Sequence, residues 1–452
     1  MRKILLNAFN MNSVGHIAHG LWRHPRDNSV DYTNIEYWTD LAKLLEKGMF
    51  DGVFMADVIG INDVYGSSPE AACEKAVQVP INDPMLIVSA MAAVTNNLGF
   101  GVTSNLTYES PYLLARRFST LDHLTKGRVG WNVVTGYLDS AARGLGLTQQ
   151  IEHSRRYDMA DDYMDCVYKL WERSWEDGSV LRNRETGVFA DTTKVHTIEH
   201  SGPFVKMSAA HLCEPSPQRT PVLYQAGSSP RGQAFAGKHA ECVFITGRTP
   251  SDTAKLVADI RNAAAAADRN PRGIRVFLGV VVIVGKTNAE AHEKLEEYKR
   301  YASPEGGLVH LCSSTGIDYS KYDLDEPITF SKTESMVSVV EALTTRNAGQ
   351  QWTVRKLLKQ MEIGCRMAPI VGDPMEVADA LETWVREADV DGFNLIRTVT
   401  PESFADFVEL VVPELQNRGV YKTEYAHGTL REKLFDDGAY LPSDHVGSRF
   451  HN

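Results

Sequence analysis

The stretch GFGVTSNLTYESPYLLARRFSTLDHLTKGRVGWNVVTGY, residues 99–137, decides the predicted fold of this chain. Its first residues, GFGVTS, are mostly apolar and bounded by glycine, which predicts a buried strand. LLARRFSTLDHLTKG carries apolar residues at helical spacing and ends at Gly127, as amphipathic helices commonly do. RVGWNVVTG predicts the next buried strand, which ends in Thr135 and Gly136. Because parallel strands of an α/β fold end at one shared edge, where ligands bind, the polar residues after these strands are expected at a functional site.

Strand and helix patterns alternate along almost the whole chain. The predicted strands are residues 3–9, 51–57, 99–104, 128–136, 220–227, 240–247, 274–285 and 390–399. Eight strands with helices between them predict an α/β fold of the (β/α)8 TIM barrel type. A doubly wound open sheet shows the same alternation, but no GxGxxG motif opens the first unit and the strand count closes at eight.

The predicted barrel accounts for most of the chain, and residues 1–452 are expected to form a single domain with insertions. The segments at about 173–219 and about 288–370 exceed what connections need. Segments of that length in a compact domain are usually functional lids or insertions. No repeat, low-complexity tract or proline-rich linker marks a second domain.

Composition and charge argue against several kinds of partner and site. The net charge of −11 argues against a nucleic-acid or anionic-membrane partner, since both need a basic surface. The six cysteines are scattered without a CxxC pair, which suits reduced thiols in a cytoplasmic protein. No apolar run approaches the roughly 18 residues of a membrane span. The fourteen histidines include no HxH or HExxH pair, so no metal site is expected.

Several polar residues fall where predicted strands end. Asp57 ends the second strand, and its carboxylate could orient a ligand or a cation, or cap a helix or a loop. Thr103, Asn132 and Thr135 lie at the ends of the third and fourth strands. An asparagine side chain can donate to and accept from an amide-like ring edge, while threonine offers a hydroxyl. Each is also a common turn residue, so the alternative of a purely structural role stays open.

The motif QAGSSPRG, residues 225–232, indicates a phosphate site more specifically. It follows the fifth predicted strand and opens a helix with small residues, so free backbone N–H groups and the helix dipole can hold a phosphate. His153 and Tyr157 lie four residues apart on one face of the next helix upstream and could close the same site. The alternative is an ordinary capped helix start. The phosphate-site residues predicted here are Gly227, Ser228, Ser229, His153 and Tyr157.

Long motifs along the chain resemble those of one enzyme family. The motifs are HGLWRHP (19–25), STLDHLTKGRVGWNVVTG (119–136), RYDMADDY (156–163), SPQRTPVLYQAGSSPRGQAFAGKHAECVF (216–244) and VVPELQNRGVY (411–421). They are similar to motifs of the bacterial luciferase-like flavin monooxygenases, in the subgroup of nitrilotriacetate, dibenzothiophene-sulfone, dimethyl-sulfide and long-chain alkane monooxygenases. NAFNMNSVGHIAHGLWRHP, HLCEPSPQRTP and the C-terminal tail look most similar to the alkane branch.

The resemblance implies a barrel that uses FMN as FMNH2, supplied by a separate NAD(P)H-dependent flavin reductase. The reduced flavin would react with O2 and transfer one oxygen atom to a small apolar substrate, and the barrels would pair as homodimers. By motif match, Asp57, Thr103 and Asn132 would face the isoalloxazine ring. The residues that would hold the ribityl chain and phosphate are Gly136, His153, Tyr157, Ser228 and Ser229.

The resemblance also suggests which residues meet the substrate. His16 and His310 match pocket histidines whose role would be to hydrogen-bond to or protonate the oxygenated flavin, with a structural role as the alternative. Where the alkane branch has cysteine, tyrosine and histidine, this chain has Ser13, Asn62 and Tyr137. Gln78 is shared with that branch. These substitutions alter size and polarity at the substrate end, so a substrate other than an alkane is also considered.

The function expected from the sequence is therefore a two-component FMNH2-dependent monooxygenase, with terminal hydroxylation of a long-chain alkane as the main reaction. The alternatives are oxygenation of a thioether, sulfone or other xenobiotic, a deazaflavin-dependent oxidoreductase, and a flavin-binding protein without turnover. The segment 288–370 is expected to act as a mobile lid over the flavin that excludes water.

Overall fold

A computed structural model describes residues 3–227, 229–328, 352–363, 367 and 369–451 of the chain. Its strands, in chain order, are β1 Leu5–Met11, β2 Gly52–Ala56, β3 Gly99–Asn105, β4 Val129–Val134, β5 Val180–Asn183, β6 Val188–Ala190, β7 Ile198–Ser201, β8 Lys206–Ala209, β9 Val222–Gln225, β10 Cys242–Ile245, β11 Arg275–Val284, β12 Ile370–Gly372 and β13 Gly392–Ile396. Its α-helices are α1 Ile35–Lys47, α2 Glu70–Glu74, α3 Met85–Ala93, α4 Pro111–Leu124, α5 Asp139–Gly144, α6 His153–Tyr168, α7 Pro230–His239, α8 Pro250–Ala266, α9 Asn288–Lys299, α10 Pro304–Thr315, α11 Val354–Gln360, α12 Pro374–Ala388, α13 Glu402–Asp406, α14 Val412–Asn417 and α15 Leu430–Phe435.

Eight of these strands close into a parallel barrel. Their order around the barrel is β10, β9, β4, β3, β2, β1, β13 and β11, and the pairing of β10 with β11 completes the ring. Each neighbouring pair runs parallel, as between β1 and β13, where Leu5 is paired with Gly392. Each of the eight coincides with a predicted strand. The ring confirms the (β/α)8 TIM barrel and excludes the open doubly wound sheet.

The unit formed by β3, α4 and β4 shows why this sequence folds as it does. All seven residues of β3 are buried, as expected for a parallel strand covered on both faces. Helix α4 begins with Pro111, whose missing N–H costs nothing at a helix start, and buries Leu114, Phe118 and Leu121 on one face. In the β3–β4 ladder Thr103 is paired with Asn132, so their side chains project from neighbouring strands at the same height.

The strands divide their side chains between two buried layers. Val53 and Met55 of β2 belong to the core between the barrel and its helices, whereas Phe54 belongs to a cluster inside the barrel. This alternation follows from the two-residue period of a strand. Inside the barrel, Phe54 has ring-centroid distances of 5.5 Å to both Phe9 and Tyr224. These rings pack against one another in the barrel interior.

Two regions add elements outside the barrel strands. Within 173–219 the chain forms two antiparallel hairpins, β5–β6 and β7–β8. Within 288–370 it forms α9, α10 and α11, and the short strand β12 extends the sheet beside β11. The predicted lid lies partly outside the described residues, which lack 329–351, 364–366 and 368. The single-domain assignment and the lid stay predictions. Among the described residues, no helix combines the length and apolar character needed to cross a bilayer.

Candidate functional site

A cavity of about 870 Å³ opens at the carboxyl ends of the barrel strands. Its wall includes Asp57 after β2, Thr135 after β4, Gly227 after β9 and Thr246 after β10. This is the edge at which TIM barrels bind their ligands. The volume falls in the upper part of the range of about 300–1,000 Å³ that is usual for cofactor and small-molecule pockets.

The cavity brings together most of the residues that the sequence singled out. Those that line it are His16, Asp57, Gln78, Thr103, Asn132, Thr135, Gly136, Tyr137, His153, Tyr157, Gly227, Ser229 and His310. Ser13 and Asn62 are buried but are not among the lining residues. The Ser13 hydroxyl donates to the Gly15 carbonyl at 2.6 Å, and Asn62 Nδ2 donates to the Val77 carbonyl at 3.0 Å. Ser228 lies outside the described residues.

One end of the cavity is formed by the N-termini of α6 and α7. Ser229 is the N-cap of α7, and its Oγ accepts a hydrogen bond from the Gly232 N–H at 3.1 Å. The same Oγ lies 3.5 Å from His153 Nε2, on the first residue of α6. Two helix N-termini therefore present their partial positive charge to the same end of the cavity, an arrangement that favours an anion.

Gly227 is required at this end by close packing. A Cβ atom at residue 227 would lie 2.2 Å from Gln225 Nε2 and 2.6 Å from Tyr157 Oη, far inside van der Waals contact. The absence of a side chain leaves the backbone next to the α7 N-terminus accessible from the cavity. This is the role that glycine plays in phosphate-binding turns.

Two residues at this end were missed by the sequence analysis. Arg156 lines the cavity with only 1% of its surface exposed, and its guanidinium donates to the Ile151 carbonyl. Gln225 also lines the cavity, and its Oε1 is buried without a hydrogen-bond partner among the described residues. Both lie inside motifs that had been singled out, but an arginine is normally a surface residue, so only its burial identifies it.

The neighbouring wall offers polar groups on the barrel strands themselves. Asn132 Nδ2 donates to Thr103 Oγ1 at 2.8 Å, which fixes the orientation of the amide. Asn132 Oδ1 is buried and has no hydrogen-bond partner among the described residues. A buried acceptor without a partner is costly unless a ligand supplies the donor. With the anion-favouring end, these acceptors suit a ligand that carries a phosphate and an amide-like ring, and FMN has both.

The carboxyl group of Asp57 changes its protonation state near neutral pH. Burial, with a smaller contribution from the nearby carboxylate of Asp83, raises the pKa of Asp57 to about 7. At neutral pH this side chain is therefore present in both protonation states, and it can donate or accept a hydrogen bond at the cavity wall.

The two candidate catalytic histidines reach the cavity from different elements. His16 follows β1 and packs edge-on against Phe9, with ring centroids 4.4 Å apart. Burial, followed by the positive charge of Arg397, holds the pKa of His16 well below its usual value, so its imidazole is neutral. Gln78 Nε2 donates to the His16 carbonyl at 3.4 Å. His310 comes from α10, and 5% of its surface is exposed.

One part of the wall is apolar. Phe9, Phe54 and Phe244 border the cavity from the barrel interior, and Met361 and Met367 border it from the segment before β12. Such a surface holds water poorly and suits an apolar substrate. The part of the chain that the structure describes contains no cluster of three or more His, Cys, Asp or Glu side chains placed to bind a metal ion.

Comparison with known proteins gives consistent results. The family model of the luciferase-like monooxygenases matches residues 17–392. The long-chain alkane monooxygenase of Geobacillus thermodenitrificans (strain NG80-2) is 51% identical over 452 residues, 100% of this chain and 98% of that protein. The dimethyl-sulfide monooxygenase of Hyphomicrobium sulfonivorans is 49% identical over 451 residues, 99% of this chain and 94% of that protein.

A solved structure gives the same result for the fold. The crystal structure of a riboflavin lyase, determined with a modified FMN and with riboflavin as substrate, superposes with a TM-score of 0.94. It is 37% identical, and the alignment covers 100% of both chains. This superposition agrees with the barrel described above, and the family match and the two relatives agree with each other. The chain therefore belongs to the luciferase-like monooxygenases, a family of flavin-dependent enzymes.

Proposed function

We propose that this protein is a two-component FMNH2-dependent monooxygenase that transfers one atom of O2 to an apolar organic molecule. The observation that carries the proposal is one cavity with an anion-favouring end at Gly227 and Ser229 and an apolar wall beside two buried histidines. The 51% identical relative is named a long-chain alkane monooxygenase, and terminal hydroxylation of a long-chain alkane is the reaction proposed first.

The proposed contacts to FMN follow from the chemistry of the two parts of the site. Ser229, His153 and Tyr157 would hold the phosphate, with the buried Arg156 supplying a positive charge. Thr103, Asn132 and Asp57 would face the ring, with Thr135 and Gly136 beside the chain that joins ring to phosphate. When bound in reduced form, FMN supplies the electrons that activate O2.

The chain's own contribution is to position groups and exclude water. His16 is a neutral imidazole at the wall and can accept or pass on a proton there. His310 faces the same cavity from α10. The phenylalanine and methionine side chains bury an apolar substrate and keep bulk water from the reacting atoms.

Oxygenation of an organosulfur compound is the second candidate. The dimethyl-sulfide monooxygenase of Hyphomicrobium sulfonivorans is 49% identical, nearly as similar as the alkane relative. Tyr137 lies at the cavity wall and would narrow the substrate end relative to a histidine. The hydroxyl of Tyr137 would favour a thioether or a sulfone over a simple alkane, because only the sulfur compounds can accept a hydrogen bond from it.

The proposal extends to partners and cellular setting. A separate NAD(P)H-dependent flavin reductase would deliver FMNH2, the barrels would pair as homodimers, and the protein would work in the cytoplasm. The resemblance to two-component enzymes supports the first two, and the six scattered cysteines without a CxxC pair support the third. Ser13 and Asn62, which complete the substrate set predicted from sequence, would act through their neighbours at the wall.

Rapid mixing tests the reaction class. The protein with reduced FMN is mixed with oxygenated buffer while flavin absorbance is followed. We expect a long-lived absorbing species that is absent without protein, and its decay should accelerate with the true substrate among alkanes, thioethers and sulfones. Incorporation of one heavy-isotope oxygen atom from labelled O2 into product completes the test. Flavin reoxidation at the uncatalysed rate, with no labelled product, would instead support a flavin-binding protein without turnover.

A further inference from the structure

We infer that His19 is a positioning residue that fixes the ring of His310 at the cavity wall and makes it a hydrogen-bond donor. The inference rests on the proposed function, in which His310 acts on the oxygen chemistry. His19 itself is not among the residues that line the cavity, but His310 is. His19 begins the motif HGLWRHP, residues 19–25.

The two imidazoles form a buried pair. His19 Nε2 lies 3.2 Å from His310 Nδ1, within hydrogen-bond distance. The rings meet edge to face, with centroids 5.3 Å apart and an interplanar angle of 89°. The exposed fractions are 2% for His19 and 5% for His310, so little water competes for this contact.

The backbone around His19 also fixes the helix that carries His310. The His19 carbonyl accepts from the Ser303 N–H at 2.9 Å, and Ser303 is the N-cap of α10. A Cβ at Gly306, in the first turn of α10, would lie 3.1 Å from the His19 Cβ, so the two segments pack closely. His19 therefore contacts α10 at its start, through the backbone, and again at His310, through the side chain.

The proton in this pair can be assigned from the surroundings of His19. Burial, with a smaller contribution from Arg397, lowers the pKa of His19 to about 4, so its ring is neutral at pH 7 and carries one N–H. His19 Nδ1 is buried without a hydrogen-bond partner among the described residues. An N–H there would be an unpaired buried donor close to the positive charge of Arg397, whereas a lone pair is tolerated better.

The proton of His19 is therefore assigned to Nε2, which donates to His310 Nδ1. Because His310 Nδ1 accepts this hydrogen bond, the His310 ring carries its own proton on Nε2. His310 is thereby set as a donor through Nε2, suited to stabilising negative charge on an oxygen and giving up a proton to it. Without His19, the ring could take the other tautomer or rotate away from the wall.

The tautomer is tested directly by nitrogen NMR of the unmodified protein with labelled histidine. The His310 resonances are assigned by their loss in His310→Asn. We expect the shifts of a neutral ring protonated on Nε2, and in His19→Leu we expect a mixture of tautomers. A wild-type His310 ring protonated on Nδ1 would overturn the inference. This measurement needs no turnover, so it stands apart from the test of the proposed function.

The kinetic test compares two substitutions of similar size. His19→Gln keeps a side-chain N–H near the position of Nε2, whereas His19→Leu removes it. We expect His19→Leu to lower kcat by about 10- to 100-fold, with KM and the Kd for FMN changed less than about twofold, and His19→Gln to recover most of the loss. In the His310→Ala background, His19→Leu should have no further effect on kcat. Equal losses in the Gln and Leu variants, or an undiminished loss in that background, would assign His19 a merely structural role.

Discussion

Asn132 and Thr103 are paired residues on adjacent barrel strands, and the amide of Asn132 donates to the Thr103 hydroxyl at 2.8 Å. This bond uses one N–H of the Asn132 amide and leaves its Oδ1 as a buried acceptor at the cavity wall. The strand register thus decides which half of the amide a ligand meets. A ligand with a ring N–H would supply the donor that Asn132 Oδ1 needs.

Replacing Asn132 by Leu should therefore weaken flavin binding while preserving the side-chain volume. We expect the Kd for reduced FMN, measured by anaerobic titration, to rise about tenfold, the effect of losing one buried hydrogen bond of about 1.4 kcal/mol. Thr103→Val is the comparison variant: it releases the amide from its partner but leaves Oδ1 in place, so it should raise the Kd less than Asn132→Leu does. A Kd within twofold of wild type for Asn132→Leu would exclude Oδ1 as a ligand contact.

Ser229→Asp tests the phosphate end by charge. Aspartate is a good N-cap, so α7 should remain as stable as in the wild type, but a carboxylate would face the phosphate. We expect the Kd for FMN to rise by about tenfold or more, since like charges repel at short range.

Riboflavin, which lacks the phosphate, is the control ligand for that variant. Its affinity should be the same in the wild type and in Ser229→Asp. Equal weakening of FMN and riboflavin would point to a general disturbance of the site, and unchanged FMN affinity would remove Ser229 from the phosphate contacts.

Asp57 should make stability depend on pH. Its pKa of about 7 in the folded protein lies above the unfolded value, so the folded state binds the extra proton between about pH 4 and pH 7. The stabilising contribution is present at low pH and is lost as the pH rises through 7. Relative to Asp57→Asn, wild type should lose about 2 kcal/mol in free energy of unfolding between pH 5 and pH 8.

Denaturant unfolding of the flavin-free protein at the two pH values measures that difference. Asp83→Asn is the matched control: it removes the neighbouring charge and should lower the pKa of Asp57, which reduces the pH dependence. Asparagine can still accept the hydrogen bond that Asp83 Oδ1 receives from the Met85 N–H. An identical pH dependence in wild type and Asp57→Asn would show that Asp57 does not titrate in this range.

The barrel was predictable because its strands are short apolar segments between glycine and polar turns, and that pattern needs no tertiary information. The first strand also contains buried polar residues that this pattern leaves out. It was predicted at 3–9 but runs Leu5–Met11, through Asn7 and Asn10, which are 2% and 0% exposed. Asn7 Nδ2 donates to Asn394 Oδ1 at 3.1 Å on the neighbouring strand, and such a partner cannot be read from local hydrophobicity.

The site was predictable where its residues end strands, as with Asp57, Thr135 and Gly227. The site was harder to predict where a segment that is distant in sequence contributes a residue to the cavity. His310 lies on α10, far along the chain from its contact with His19, and only the family resemblance indicated it. The hairpins within 173–219 were not predicted as strands, because β5 is largely exposed and lacks a clear apolar period.

Arg156 is a candidate phosphate contact that only its burial in the structure identifies. It is 1% exposed at the cavity wall, whereas its neighbour Arg155 is exposed and packs over the Phe204 ring at 5.9 Å. The cavity end that favours anions lies next to this buried guanidinium, which can form charge-assisted hydrogen bonds to a phosphate there. Arg156→Met should therefore raise the Kd for FMN about 10- to 100-fold and the Kd for riboflavin far less. Arg155→Met, which makes the same change one residue away on the exposed face, should leave both affinities unchanged. If Arg156→Met weakened FMN and riboflavin equally, the arginine would be holding α6 through the Ile151 carbonyl instead of binding phosphate.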